Sequence, residues 1–138
     1  VRAESVGWCL RLRERTSPGG AGAPHVADGG AKARQGAQVL RLAAELGGHR
    51  SRVVGINPDR VGRGSGVFAN GWGADRAETL GSPEDKLGEF YAQRTLLKRE
   101  VLPEHVANAV FVLAAGDLSQ TTGLHIPVDA GVAAAFLR

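Results

Sequence analysis

Hydrophobic and polar positions along the chain fall into two patterns, one periodic and one continuous. Over residues 31–46, Val39, Leu42, Ala43 and Leu46 recur at the i, i+3, i+4, i+7 spacing of one helix face. Good helix formers fill the segment, and Gly47-Gly48 supplies a left-handed stop. Val53-Val54-Gly55-Ile56 is instead an unbroken apolar run, which suits a strand buried on both faces of a parallel sheet. Pro58 has no amide hydrogen and ends the ladder. A helix followed within a few residues by a buried strand is the second half of a βαβ unit.

Both patterns return downstream. Ser82-Pro83-Glu84-Asp85 predicts a helix start, with Ser as N-cap, Pro in the first position and acids in the first turn. Leu87, Phe90, Tyr91 and Leu97 then give a partial apolar face. Pro103-Glu104 opens another helix, and Val106, Ala107, Val110, Phe111, Leu113 and Ala114 predict a broad buried face for it. Gly116-Asp117 stops that helix, and Thr121-Thr122-Gly123 turns into a second short strand over residues 124–129. Between them, residues 60–81 are glycine-rich, with Val67, Phe68 and Trp72 as large apolar groups and Ser65 as the cap of a short helix. The first 30 residues predict least. Residues 6–12 are a candidate strand that Arg11, Arg13 and Arg15 interrupt, and residues 17–24 carry loop chemistry. The expected organisation is a poorly patterned lead-in, open to disorder, over residues 1–30 and one α/β unit over residues 31–138.

Composition narrows the function classes. Net charge is +3, but Arg outnumbers Lys 14 to 3 and acids are interleaved from Glu78 onward, so no nucleic-acid surface is expected. A single cysteine, Cys9, gives no disulfide framework and no thiolate cluster, which suits a reducing, cytoplasmic setting. The four histidines lack i,i+3 or i,i+4 pairing, and no metal site is expected. No apolar run approaches the length of a membrane span, and the N-terminus lacks the apolar core of a signal peptide. The chain has no methionine and starts at Val1, which fits a fragment or an unusual start.

The order of elements carries a resemblance. Helix, buried strand, Asn-Pro turn, long excursion, helix, Thr-Gly turn and a strand ending in Asp resembles the C-terminal half of the short-chain dehydrogenase/reductase family. The matching residues are Arg52-Val53-Val54-Gly55-Ile56-Asn57-Pro58, Leu102-Pro103-Glu104-His105-Val106-Ala107, Thr122-Gly123 and Val128-Asp129-Ala130-Gly131. Residues 89–99, 104–109 and 131–138 further resemble the dehydrogenase end of bifunctional rhamnulose-1-phosphate aldolase/short-chain dehydrogenases, whose dehydrogenase part oxidises lactaldehyde. Nothing resembles the aldolase part.

The resemblance implies an α/β fold: the distal half only of an incomplete Rossmann-like, doubly wound domain, with about two parallel strands and three to four helices. It implies NAD or NADP as cofactor. In the family a tyrosine moves the proton, and a lysine four residues later shares its helix face. Here Lys32 matches the lysine, but Asp28 stands where the tyrosine belongs. A carboxylate with an ordinary pKa of ~3.9 is ionised at neutral pH and donates no proton. Thr16 and Ser17 lie near the family's serine position, but no strand pattern carries them. Gly19-Gly20-Ala21-Gly22 lacks a preceding strand, and Gly62-Arg63-Gly64-Ser65-Gly66 follows the Asn-Pro turn, so neither reads as a phosphate-binding turn. Lys32, Asn57, Pro58, Asp59 and Val61 are the implied cofactor-side residues, and Phe68, Trp72 and Tyr91 the candidate substrate-pocket residues. Catalysis is therefore not expected of this chain alone, and its binding of the cofactor is doubtful. Expected partners are a second copy or an intact homologue, with neither nucleic acid nor membrane; a non-catalytic interface module is the alternative.

Overall fold

A computed structural model describes residues 8–12, 23–62 and 72–132, with side chains from Arg34 onward apart from Trp72. The elements are β1 (Trp8–Leu12), α1 (Ala23–Leu46), β2 (Arg52–Pro58), α2 (Trp72–Leu80), α3 (Leu87–Gln93), α4 (Pro103–Ala114) and β3 (His125–Val128), with single 3-10 turns at Gly47–His49 and Glu84–Lys86. The three strands form one parallel sheet in the order β1-β2-β3.

The central strand β2 organises the packing. All seven of its residues are buried, because helices cover both of its faces. Val53 packs with Val39 and Ala43 of α1. Val54 and Ile56 pack with Leu113 of α4, flanked by Val106, Ala109 and Val110. Neighbouring strand residues point to opposite faces, so α1 and α4 lie on opposite sides of the sheet. The strands nonetheless advance in one direction. The β1-α1-β2 and β2-α4-β3 connections therefore have opposite hands, an exception to the usual right-handed rule. The second connection is long and carries α2 and α3, which frees it from the short-crossover geometry.

Polar groups fix the ends of this stack. Arg52 is buried, and its guanidinium donates to the carbonyls of Leu113 (2.7 Å), Leu118 (2.8 Å) and Thr121 (3.4 Å). It thus satisfies one carbonyl that the end of α4 leaves open and two in the segment that follows it. The Thr122 hydroxyl accepts from the Val53 amide at 3.0 Å, and the Gly123 amide donates to the Val53 carbonyl at 2.8 Å. The Thr-Gly turn is thereby docked on the start of β2.

Four expectations need correction. The glycines at 19–22 were expected to lack a preceding strand, but β1 precedes them and α1 begins directly after them, at Ala23; the glycines themselves lie outside the described residues. The sheet has three strands, not about two: residues 8–12 form a five-residue parallel ladder with β2. The arginines there fall on the odd positions and leave Trp8, Leu10 and Leu12 in period-two alternation. The helix α1 starts at Ala23, not residue 31. Pro24, read as part of a loop, suits a helix's first turn, and Gly29-Gly30 is carried through at the modest cost glycine imposes. The face of α4 is narrower than expected. Only Leu113 is buried, with Val106, Ala109 and Val110 half-buried beside it, while Ala107, Ala114 and Phe111, the last 71% exposed, lie off the stripe. Elsewhere Pro83 precedes the 3-10 turn, so α3 begins at Leu87, and α4 begins at Pro103 as its sequence predicts. Among the described residues no helix is long and apolar enough to cross a membrane, and no group of three or more His, Cys, Asp or Glu is placed to hold a metal.

Candidate functional site

In open parallel sheets ligands bind outside the carboxyl ends of the strands. Here that rim is formed by residues 57–62 after β2 and residues 127–131 after β3. Asn57 is the first rim residue. It is buried, and its Oδ1 has no hydrogen-bond partner among the described residues. The Asp59 amide donates to the Val128 carbonyl at 3.2 Å, and the Gly62 amide to the Val101 carbonyl at 2.7 Å. Val61 bridges Val101 in parallel fashion. The segment is therefore fixed by its backbone to both β3 and the stretch before α4.

Its side chains are charged and buried. Burial raises the Asp59 carboxyl above its ordinary range, against the Arg60 backbone hydrogen bond and the charges of Arg94 and Arg60, with Asp129 adding to the rise. Arg60 is buried with its guanidinium carbon 4.9 Å from the centroid of the Tyr91 ring, and that of Arg94 lies 5.5 Å away. Arg76 Nε of α2 donates to the Tyr91 hydroxyl at 2.9 Å. Tyr91 also packs with Ala77 and Leu87 in the cluster joining α2 and α3. Glu100 lies against both Gly62 and Gly88 of α3, where a methyl group would land on its carboxylate.

Beside this rim is a cavity of about 500 Å³ whose lining includes Leu97, Glu100, His105, Pro127 and Asp129. The Leu96 and Leu97 amides donate to the Gly131 (2.8 Å) and Ala130 (3.0 Å) carbonyls, and Asp129 Oδ1 accepts from the Gly131 amide at 2.9 Å. His105 Nδ1 accepts from the Leu102 amide at 3.0 Å, which puts the proton of a neutral ring on Nε2.

The predicted site residues divide accordingly. Asn57, Pro58, Asp59 and Val61 are brought together at the carboxyl end of β2. Asp28 and Lys32 both lie on α1, one turn apart, with side chains outside the described ones. Tyr91 is only 3% exposed, its ring packed against arginines. Trp72 opens α2, its side chain outside the described ones. Phe68, Thr16 and Ser17, with the glycines of both candidate turns other than Gly62, lie outside the described residues.

Residues 18–133 match the family model described as Enoyl-(Acyl carrier protein) reductase. The chain belongs to the short-chain dehydrogenase/reductase family. This is a family of NAD(P)-dependent oxidoreductases. The Bacillus subtilis (strain 168) protein named Uncharacterized oxidoreductase YuxG is 40% identical over 97 residues, which are 70% of this chain and 14% of that protein. A short chain dehydrogenase family protein from Francisella tularensis subsp. tularensis SCHU S4 superposes with a TM-score of 0.74 at 21% identity, over 92% of this chain and 51% of the other. Carveol dehydrogenase from Mycobacterium avium, in complex with NAD, gives 0.74 at 23% identity, over 94% and 47%. These likenesses show the Rossmann-like α/β fold, and the chain spans about half the length of these solved dehydrogenases.

Sequence reasoning missed the parts of this dehydrogenase rim that are held by contacts distant along the chain. Arg60, Arg76 and Arg94 around Tyr91, and Glu100 against Gly62 and Gly88, have no local pattern. Asp129 was visible only as part of the Val128-Asp129-Ala130-Gly131 match.

Proposed function

We propose that this chain is the substrate-side portion of an NAD(P)-dependent short-chain oxidoreductase acting on a small alcohol or aldehyde, with lactaldehyde in rhamnose catabolism as the substrate and the cytoplasm as the setting. The observation that carries the reading is the built rim at the end of β2, in a chain that belongs to the dehydrogenase family. Asn57 Oδ1 is a buried acceptor without a partner among the described residues, which fits a donor such as a carboxamide. Residues 59–61 would flank that group, and Lys32, from its place on α1, would bond the cofactor ribose. When bound, the nicotinamide supplies the hydride chemistry, and the protein positions it. The choice of lactaldehyde draws on the narrower resemblance and on the matched relative's length. The 97 aligned residues are only 14% of that protein, which accords with a dehydrogenase joined to a further catalytic part.

Catalysis by this chain alone is not expected. No phosphate-binding glycine turn lies among the described residues, although β1 and α1 flank Gly19, Gly20 and Gly22, which lie outside them, and Asp28 stands at the proton donor's place. Loss of a positioned acid or base typically costs about 10²–10⁴-fold. The purified chain with NAD or NADP and lactaldehyde should form no reduced nicotinamide; saturable cofactor binding with turnover would overturn the inactivity.

A second reading is a subunit-interface module that associates with itself or with an intact homologue. It is favoured by Leu40 of α1 and Phe111 of α4, which are 64% and 71% exposed on opposite sides of the sheet. A well-folded monomer in sedimentation would count against it.

A further inference from the structure

We propose that Tyr91 is a positioning residue that pins the α2–α3 pair to residues 59–62, so that the two respond as one element. One side chain touches three parts of the chain. Its ring fills the apolar cluster with Ala77 and Leu87. Its hydroxyl accepts from Arg76 of α2 at 2.9 Å. Its π face meets the guanidinium of Arg60, 4.9 Å from the centroid, in the segment that leaves β2. A leucine at position 91 would keep an apolar side chain in the cluster but fill less of it and provide neither polar tie. The buried hydroxyl needs a partner, and Arg76 supplies it from α2. A guanidinium against an aromatic face gains most when it is desolvated, and Arg60 is 7% exposed.

Glu100 is a second tie, through Gly62 and Gly88, and it acts on the same two elements. The position of α2 and α3 therefore sets the position of residues 59–62. The meaning of this for catalysis rests on the NAD(P) reading above. The coupling itself does not, because it can be read with no cofactor present.

Amide hydrogen exchange in the 138-residue chain tests it. The Gly62 and Asp59 amides report the segment, the Ser82 amide, bonded to the Ala77 carbonyl at 3.0 Å, reports α2, and the Gly55 amide, bonded to the Leu124 carbonyl at 2.9 Å, reports the sheet. Tyr91→Leu should speed exchange at Gly62 and Asp59 by about 3- to 30-fold, the span of a partly desolvated cation–π contact, and leave Gly55 unchanged. Tyr91→Phe keeps the ring and cuts only the Arg76 bond. It should speed Ser82 and Gly62 together, by a smaller factor, and it decides the matter if Tyr91→Leu leaves no protected amides. Arg60→Leu should reproduce the Gly62 effect and make a following Tyr91→Leu add less than its own share. The proposal is overturned if Gly62 does not respond, if Ser82 responds to Tyr91→Phe without Gly62, or if Gly55 and Gly62 rise equally. The functional reading is tested separately, by the response of residues 57–62 to nicotinamide mononucleotide, and its failure there would leave the pin intact.

Discussion

The strand β2 and the four residues that follow it are one continuous stretch of chain, held in place by two different kinds of force. Every residue of β2 is buried, and its apolar side chains are packed between α1 on one face and α4 on the other. Residues 59 and 60 are nearly as buried, at 5% and 7% exposed, yet both are ionisable. Their neighbours are Tyr91, Arg94 and Asp129 rather than methyl groups. Equal burial therefore means different things on the two sides of Pro58. Volume sets the tolerance of the first region, and the identity of a few polar partners sets that of the second.

The largest expected effect lies in β2. Ile56 is fully buried between the sheet and α4, so Ile56→Ala should cost about 2–5 kcal/mol of global stability in denaturant unfolding. Leu87 is as well buried, at 1% exposed, but its cluster joins only α2 and α3. Leu87→Ala should loosen the amides of those helices while the β2 amides keep their protection. Equal loss across both would erase the distinction between the regions.

The next effect sharpens the contrast. Gly62→Ala would drive a methyl group onto the Glu100 carboxylate, and because that carboxylate ends a flexible side chain the cost should be about 1 kcal/mol, the low end for overpacked sites. Adding Glu100→Ala should recover most of that loss, which denaturant midpoints of the single and double variants would show. If Gly62→Ala alone is neutral, the post-strand segment yields more easily than its contacts imply.

The smallest effect is a pH dependence. Burial raises the Asp59 carboxyl above 3.8 in the fold, so the folded state holds a proton that the unfolded state releases. Stability from this group is present at low pH and falls as pH rises from the unfolded value through the raised folded one. Asp59→Asn should remove that loss. The stability difference between Asp59→Asn and the parent should grow in favour of the variant as pH rises above about 4 toward neutral. A constant difference across that range would mean that the arginines offset the burial in full.

The same contrast decides what was legible in the sequence. The apolar run of β2, the Pro-Glu start of α4 and the Thr-Gly turn are local signals, and each appears where it was expected. The start of α1 was obscured because Ala23 and Pro24 were read as the end of a glycine- and proline-rich loop. The alternation of β1 was obscured by Arg11 within it and by Arg13 and Arg15 just after it. Arg52 opens the strand in the sequence, yet it holds the Leu113 carbonyl at the end of α4 and those of Leu118 and Thr121 beyond it, more than 60 residues away. The rim's charged contacts join positions 60 with 91, and 62 with 88 and 100. No window of sequence contains them, which is why the backbone of the candidate site could be read and its side-chain network could not.

The central proposal is that residues 57–62 form the nicotinamide-side wall of a dehydrogenase, with no phosphate-binding turn among the described residues. Titration of the isotope-labelled chain with nicotinamide mononucleotide, and separately with adenosine monophosphate, tests each half by amide chemical shifts. Nicotinamide mononucleotide should give saturable shifts at Asn57, Asp59, Arg60, Val61 and Gly62, and adenosine monophosphate should give none. Shifts with adenosine monophosphate alone, or no response of residues 57–62 to the nicotinamide half, would contradict the account.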